Sequence, residues 1–481
     1  MAPVRPHFRT IGLIVGAAMF MDQLDGTVLA TALPVMARDL GVTAPAMSIA
    51  LTSYLISLAI FIPASGKIAD RYGARDVFRA AIIAFTLGSI LCAQAPNLPA
   101  LVVARFLQGI GGAMMMPVGR LVLLRSVEKR NMIAASSWVL VPALMAPVLG
   151  PPVGGFIVTY LNWHWIFYIN VPIGILGVVL VSLYIPEIKG DGPKPFDLGG
   201  MALSGLSLGS LLFGFEMTSH PGQLGLSLGL LAIGACAGGL YLAHARRTEH
   251  PILDFRLMRV PSFGTSLVAG SLTRITQGAQ PFLLALLLQL DFGFTALQSG
   301  SITLATALGA VVMKILAPHL LRRFGFRDSM VINGVIASMG YAVCALFRPD
   351  WPLPAIFAVL TACGFFMSFQ FTAYNTVAYD RITQSQLSSA TSLYTTLQQL
   401  MLSLGICAGA LVLQTSMSLH GRASPGFGDF STAFLVVTAI SLTATFWNMR
   451  FTHDAGTEIS GHTPRSWSLR QALRDMRGLT S

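Results

Sequence analysis

The chain has 481 residues, 54% of them hydrophobic and only 11% charged, with a mean hydropathy of +0.68, too little polar surface to solvate a water-soluble globule of this size. Its solvent is therefore lipid. The net charge of +11 does not point to nucleic acid, because Lys and Arg stand in short clusters between long apolar runs rather than along one face.

A helix crossing a bilayer needs about 20 apolar residues, with its backbone polar groups satisfied internally. In chain order, fourteen such spans are predicted, at residues 10–33, 47–68, 77–95, 99–124, 131–158, 165–185, 198–217, 222–244, 263–290, 297–321, 329–347, 353–378, 391–416 and 430–450. The first follows Arg5 and Arg9 but carries Asp22 and Asp25 and lacks a small-residue cleavage site, so it reads as a membrane helix rather than a signal peptide. Basic residues test the count, since a missed span would scramble their alternation. Of the 31 Lys and Arg, only Arg38, Arg348 and Arg422 fall in the odd-numbered connections, and Arg105, Arg274 and Lys314 lie within spans. The other 25 sit at the N-terminus, in or beside the even-numbered connections, and in the tail. Both termini are therefore expected on the cytoplasmic side. In the tail, Ser466 to Arg477 places Leu469, Leu473 and Met476 on one helical face and Arg470, Arg474 and Arg477 on another, fitting either an interfacial helix or a solvated tail.

The connection after the second span runs from Ile68 to Asp76 as IADRYGARD, and that after the tenth from Leu320 to Asp328 as LLRRFGFRD. A repeat offset by eight spans predicts two six-helix bundles around a midplane site, with a helical pair inserted between them. The expected organisation is an all-α polytopic membrane protein. Residues 1–185 form its N-terminal bundle, 186–262 a linker carrying the inserted pair, 263–450 the C-terminal bundle and 451–481 a cytoplasmic tail. Within the first copy, Asp70, Arg71 and Arg75 are expected to form a latch, the carboxylate at a helix N-terminus and the arginines paired across the bundle. Gly66 and Gly73 bracket these charges and would permit a tight turn and close backbone approach.

Ionisable residues inside spans are costly and normally face an aqueous path. Asp22 and Asp25, three apart, share a helical face, and two neighbouring buried carboxylates suit the holding and release of a proton. Arg105 either pairs with Asp25 or binds substrate. Arg274 and Lys314 have few acids nearby in sequence to neutralise them, which favours an anionic cargo; Lys314 can alternatively snorkel to the cytoplasmic surface. Gln23, Gln108, Gln277, Gln280, Gln370, Asn375, Gln398 and Gln399 are candidate cavity-lining residues. The five cysteines all fall in apolar runs with no metal-ligand or redox spacing, and no metal is expected. No HExxH, GxSxG or P-loop pattern occurs, so neither is an enzyme.

Several stretches carry a family resemblance. Gly66 to Arg75 matches the loop motif GxLaDrxGxr of the major facilitator superfamily, and Arg105 to Gly109 its RxxQG motif. Gly150-Pro151-Pro152-Val153-Gly154-Gly155 resembles its antiporter motif, and Trp163 to Pro172 the WrWiFxINvP segment of the fourteen-helix drug:proton antiporters. Leu24-Asp25-Gly26-Thr27 is similar to the LDxT motif of that branch, although Gly26 and Leu29-Ala30-Thr31 depart from it. The resemblance implies a proton-coupled exporter of drugs or other small amphipathic compounds, multi-pass in a bacterial cytoplasmic membrane, with Asp25 in proton coupling and Gly150, Pro151, Gly154 and Gly155 sealing against leak. An organic-anion or metal-chelate exporter and a proton-coupled uptake symporter are the alternatives. Protons, a small-molecule substrate and the bilayer are the expected partners of a monomer, and the proton gradient takes the place of any cofactor.

Overall fold

The computed structural model describes residues 8–127, 132–187, 197–218, 222–249, 251–383, 386–422, 424–452 and 455–456, and its regular elements are helices. They are α1 (Phe8–Asp39), α2 (Ser48–Tyr72), α3 (Ala74–Ala93), α4 (Leu98–Ser126), α5 (Met132–Tyr160), α6 (Trp165–Tyr168) and α7 (Asn170–Tyr184), then α8 (Leu198–Met217) and α9 (Leu224–Arg247). The remainder are α10 (Pro261–Leu286), α11 (Ala296–Phe324), α12 (Phe326–Cys344), α13 (Leu353–Val377), α14 (Leu387–Leu419) and α15 (Phe427–Asn448). The short α6 and α7 share one predicted span, broken at Ile169 where Pro172 has no N–H to offer the Tyr168 carbonyl.

Among the described residues, eleven helices are long and apolar enough to cross a membrane by length and composition. Outside that set stands α10, whose Ser262, Ser266, Thr273, Thr276 and Gln280 are buried; its polarity is turned into the protein, away from lipid. This is an all-α polytopic membrane protein.

One set of helices packs α1 on α5, α2 and α3 on α4, and α3 on α7; a second packs α10 on α14 and α15, α11 on α13, and α12 on α13 and α15. The sets meet along α5 with α11 and α2 with α14. The pair α8 and α9 pack on each other, with α8 laid against both α2 and α14. We call the side bearing the α2–α3 turn the basic face, and the other the opposite face.

The repeated loop is a repeated turn. Gly73 (φ +91°) and Gly325 (φ +72°) end α2 and α11 in a region that favours glycine, and their N–H groups donate to Ala69 O (3.0 Å) and Leu321 O (2.9 Å). Other expectations for this loop are corrected. A Cβ at Gly66 would meet nothing within 4 Å, so no backbone approaches it closely. Arg75 Nη2 donates to Ser182 O at 2.7 Å, capping the last turn of α7 in its own set. Arg71 is exposed and lies 5.5 Å over the Tyr72 ring. The Asp70 side chain and the tail segment 466–477 lie outside the described residues.

Candidate functional site

Between the two sets lies a cavity of about 460 Å³, a size that suits a drug-sized molecule. Asp22, Gln23, Thr27, Tyr54 and Arg105 contribute its polar wall from the first set, and Arg274, Gln277, Gln280 and Gln399 from the second. A smaller concavity of about 370 Å³ between α2, α3 and α4 has Asp76 as its one charged lining residue and lacks converging polar groups.

Behind the first wall is a dry ion cluster. Arg105 Nη1 lies 2.5 Å from Asp25 Oδ2, and the two side chains are 1% and 0% exposed. The same nitrogen donates to Gln108 Oε1 (2.6 Å), and Arg105 Nε to Ala50 O (3.2 Å). Asp25 Oδ1 accepts from Gln108 Nε2 (2.9 Å) and Asn170 Nδ2 (3.0 Å), and both amides also reach Ser89 Oγ. A buried charge pair persists only where its remaining donors and acceptors are met in this way. Four helices, α1, α3, α4 and α7, therefore converge on one carboxylate. The guanidinium also lies 4.4 Å over the Tyr54 ring, and the Tyr54 hydroxyl donates to Asp22 Oδ1.

The two acids thus part company. Three positions on an α-helix differ by about 60° around its axis, enough for Asp22 to reach the cavity rim while Asp25 turns into the α1–α4 contact. The expectation that both face the aqueous path is corrected to Asp22 alone.

The second wall is cationic. Arg274 Nη1 donates to Gln277 Oε1 (2.8 Å), Nη2 donates to Gln398 Oε1 (3.1 Å), and the guanidinium lies 4.1 Å over the Phe371 ring. Among the described residues no carboxylate pairs with Arg274.

Of the other predicted lining residues, Gln23, Gln277, Gln280 and Gln399 line the cavity, and Gln398 holds Arg274 from beside it. Gln108 does not: it belongs to the ion cluster. Gln370 turns toward Tyr374 and Gly334, in the packing of α12, α13 and α15. Asn375 donates to the Phe371 carbonyl of its own helix (2.8 Å), and Lys314 is exposed, off the cavity lining. Helical period places a residue around its own axis, but the neighbour it meets depends on how the helices are arranged.

The glycines of the fifth helix face two partners. A Cβ at Gly150 would collide with Thr27 of α1, and one at Gly154 would lie 2.8 Å from Val28 O. On the next face, a Cβ at Gly155 would lie 2.5 Å from Ala296 O, and one at Gly300 would strike Pro151 O. Small residues let membrane helices approach backbone to backbone, so Gly150-to-Gly155 closes α5 onto α1 within its own set and onto α11 across the cavity. Gln289 Nε2 adds a cross-set bond to Thr31 O (2.7 Å), and Leu297 N one to Thr159 Oγ1 (3.3 Å). These contacts lie between the cavity and the opposite face.

Three participants escaped the sequence reading. Asn170 sits in a quoted motif but was given no role, Tyr54 lacked any motif, and Glu216 ends an apolar run. Glu216 is fully buried and accepts from Ser48 Oγ of α2, so it ties α8 to the first set. An Asn or Glu stranded in a run of apolar residues is the available signal; for Tyr54 there is none.

At the opposite face, a π-helical turn, Leu287–Asp291, follows α10. Burial pushes the Asp291 carboxyl up to about 6, with Arg348 and Arg422 opposing and Asp429 reinforcing the shift. The folded chain therefore keeps this proton above the ordinary carboxylate value of about 3.9, and stability contributed here falls as pH rises from about 4 to 6. Asp291→Asn is expected to flatten that slope in thermal unfolding of the detergent-solubilised chain; an unchanged slope would place the shift elsewhere.

A cavity enclosed between two sets of membrane helices, walled by opposite charges and sealed toward one face, defines a membrane carrier. The sequence profile of the Major Facilitator Superfamily matches residues 15–406 and 266–477, and the chain belongs to that superfamily. It is 35% identical over 417 residues to the "Putative multidrug resistance protein MdtD" of Escherichia coli O7:K1, covering 86% of this chain and 88% of that one. It is 36% identical over 404 residues to the protein of the same name from Salmonella heidelberg, covering 83% and 85%. Among solved structures, a POT family transporter in complex with a thioalcohol conjugated peptide superposes with a TM-score of 0.66 at 14% identity, covering 90% of this chain and 94% of that one. The nucleoside transporter NupG gives 0.62 at 17%, covering 91% and 98%. These two share the fold.

Proposed function

We propose that this transporter is a proton-coupled efflux antiporter of a bacterial cytoplasmic membrane, exporting small amphipathic compounds by alternating access. The observation that carries this reading is a carboxylate, Asp22, on the cavity wall and linked through Tyr54 and Arg105 to the enclosed Asp25. Proton uptake at the wall changes the charge of a cluster that joins α1 to α4, and so has a route to the packing of the helix sets. The names of its relatives and the likeness of Gly150 to Gly155 to the antiporter motif support export. The alternation of basic residues supports a cytoplasmic basic face and cytoplasmic termini; the cavity would then be sealed from the outside. Two six-helix bundles, with α8 and α9 as the inserted pair, supply the moving parts, and the proton gradient supplies the energy.

A specific observation favours a second reading, an organic anion or metal chelate as cargo. Arg274 presents its charge to the cavity with amide oxygens and an aromatic face around it, an arrangement that attracts a carboxylate and repels a lipophilic cation. Everted vesicles offered a panel of lipophilic cations, neutral drugs and citrate chelates decide. Preference for the anions, with uptake reduced at least about tenfold in Arg274→Ala, a loss of roughly 1.4 kcal/mol, supports this reading. Unchanged uptake of every compound by that variant removes it. Proton coupling fails as a reading if a pH gradient drives no uptake of any compound, or if Asp22→Asn and Asp25→Asn both leave driven uptake intact.

A further inference from the structure

The Asp22 carboxylate of α1 meets the Tyr54 hydroxyl of α2 in a site built by four helices. Tyr54 is 5% exposed and its ring stands edge-on to Phe85, 6.4 Å between centroids, so α3 fixes the phenol in place. From α4, Arg105 covers the ring at 4.4 Å. Two turns further along α4, a Cβ on Gly112 would run into the Tyr54 hydroxyl and lie 3.1 Å from Asp22 Oδ1. Glycine at 112 therefore leaves room for the carboxylate and phenol to meet.

We propose that Asp22 and Tyr54 together form the proton-exchange site of the carrier, with Tyr54 a positioning residue that sets the pH at which Asp22 takes up and releases its proton. This rests on the proton-coupled reading and deepens it. Asp22 faces the cavity, whereas Asp25 is enclosed by Arg105, Gln108 and Asn170, so water in the cavity meets Asp22 first. A phenol O–H donated to a carboxylate favours the ionised form. When a proton from cavity water binds Asp22, the carboxyl becomes neutral and the phenol loses its charged acceptor. Arg105, stacked on that ring, then has Asp25 as the remaining anion in the cluster. Charged and titratable groups facing Asp22 are Tyr54 on α2, Arg105 on α4, Asp25 on α1 itself and, from the far wall, Arg274 on α10. The cavity residues of α5 and α11, Pro147, Pro151, Thr303 and Thr306 among them, carry no ionisable group.

The test is an infrared pH titration of the protonated-carboxyl C=O band, on the full chain reconstituted in liposomes of Escherichia coli polar lipid. Asp22→Asn is expected to remove one titrating component. Tyr54→Phe keeps the ring and removes the hydroxyl, and is expected to move that component to higher pH by about 1 to 2 units, the worth of one hydrogen bond to a charged group. A merely structural role for Tyr54 would not move the midpoint. Gly112→Ala, which crowds the pair without deleting either member, is expected to move it in the same direction and serves if Tyr54→Phe does not fold. An unaltered spectrum in Asp22→Asn, or an unmoved midpoint in the folded Tyr54 and Gly112 variants, overturns the proposal. Absence of gradient-driven transport by the parent chain would instead count against the proton-coupled reading, and the titration reads the site independently of transport.

Discussion

Arg105→Ala is expected to destabilise the protein by about 3 to 5 kcal/mol, the usual result of stripping one partner from a buried charge pair. Asp25 would be left enclosed, its carboxylate still holding the Gln108 and Asn170 amides but without a counter-charge. The loss exceeds the net worth of the pair, because the uncompensated anion carries its desolvation cost alone. The double change Asp25→Asn with Arg105→Gln removes both charges and retains hydrogen-bonding groups for the amides, so it is expected to recover much of the stability. Thermal unfolding of the purified chain in detergent separates the two. An Arg105→Ala protein as stable as the parent would mean that water enters the cluster and that the pair is not dry. Gradient-driven uptake by the stable double variant would mean that the pair serves packing alone.

Gly300→Ala is expected to abolish the close contact of α5 with α11, because the added methyl would run into the Pro151 carbonyl oxygen. Neither backbone can yield locally. The helices must separate by roughly an ångström along the seam that also carries Gly155 against Ala296 and Gln289 against Thr31. Overpacking of this kind commonly costs about 1 to 3 kcal/mol, and here that cost falls on the state sealed toward the opposite face. A few kcal/mol is sufficient to invert a two-state population. Distance measurements between spin labels on Thr43 and Leu419, both exposed near the opposite face, should therefore shift to longer values in Gly300→Ala. Unchanged distances would show that the seam tolerates the methyl and does not hold that face shut. Gly66→Ala is the control: its Cβ meets open space, and no shift is expected.

Some of this is legible in the sequence. The apolar runs and the alternation of basic clusters gave a polytopic helical protein, and the Gly73 and Gly325 loops, which share one turn geometry, revealed the internal repeat. The pairing of Arg105 with Asp25 was one of two alternatives open to a guanidinium at membrane depth, the other being a bound substrate. Gln108, Gln370 and Asn375 were read as cavity residues by polarity, and each instead satisfies a buried partner or its own helix. Polarity inside a membrane protein reports the need for a partner, and that partner is as often another side chain as water or cargo.

Sequence by itself determined the solvent, the positions of most helices, the repeated turn and the presence of costly charges at membrane depth, because each is a property of one segment and its transfer from water. Only the tertiary structure decided that Asp22 faces the cavity while Asp25 is sealed, that Tyr54 and Asn170 complete their surroundings, and that α5 closes onto two partners through adjacent glycines. Those outcomes depend on which helix lies across from which, and the period of a single helix carries no information about its neighbours.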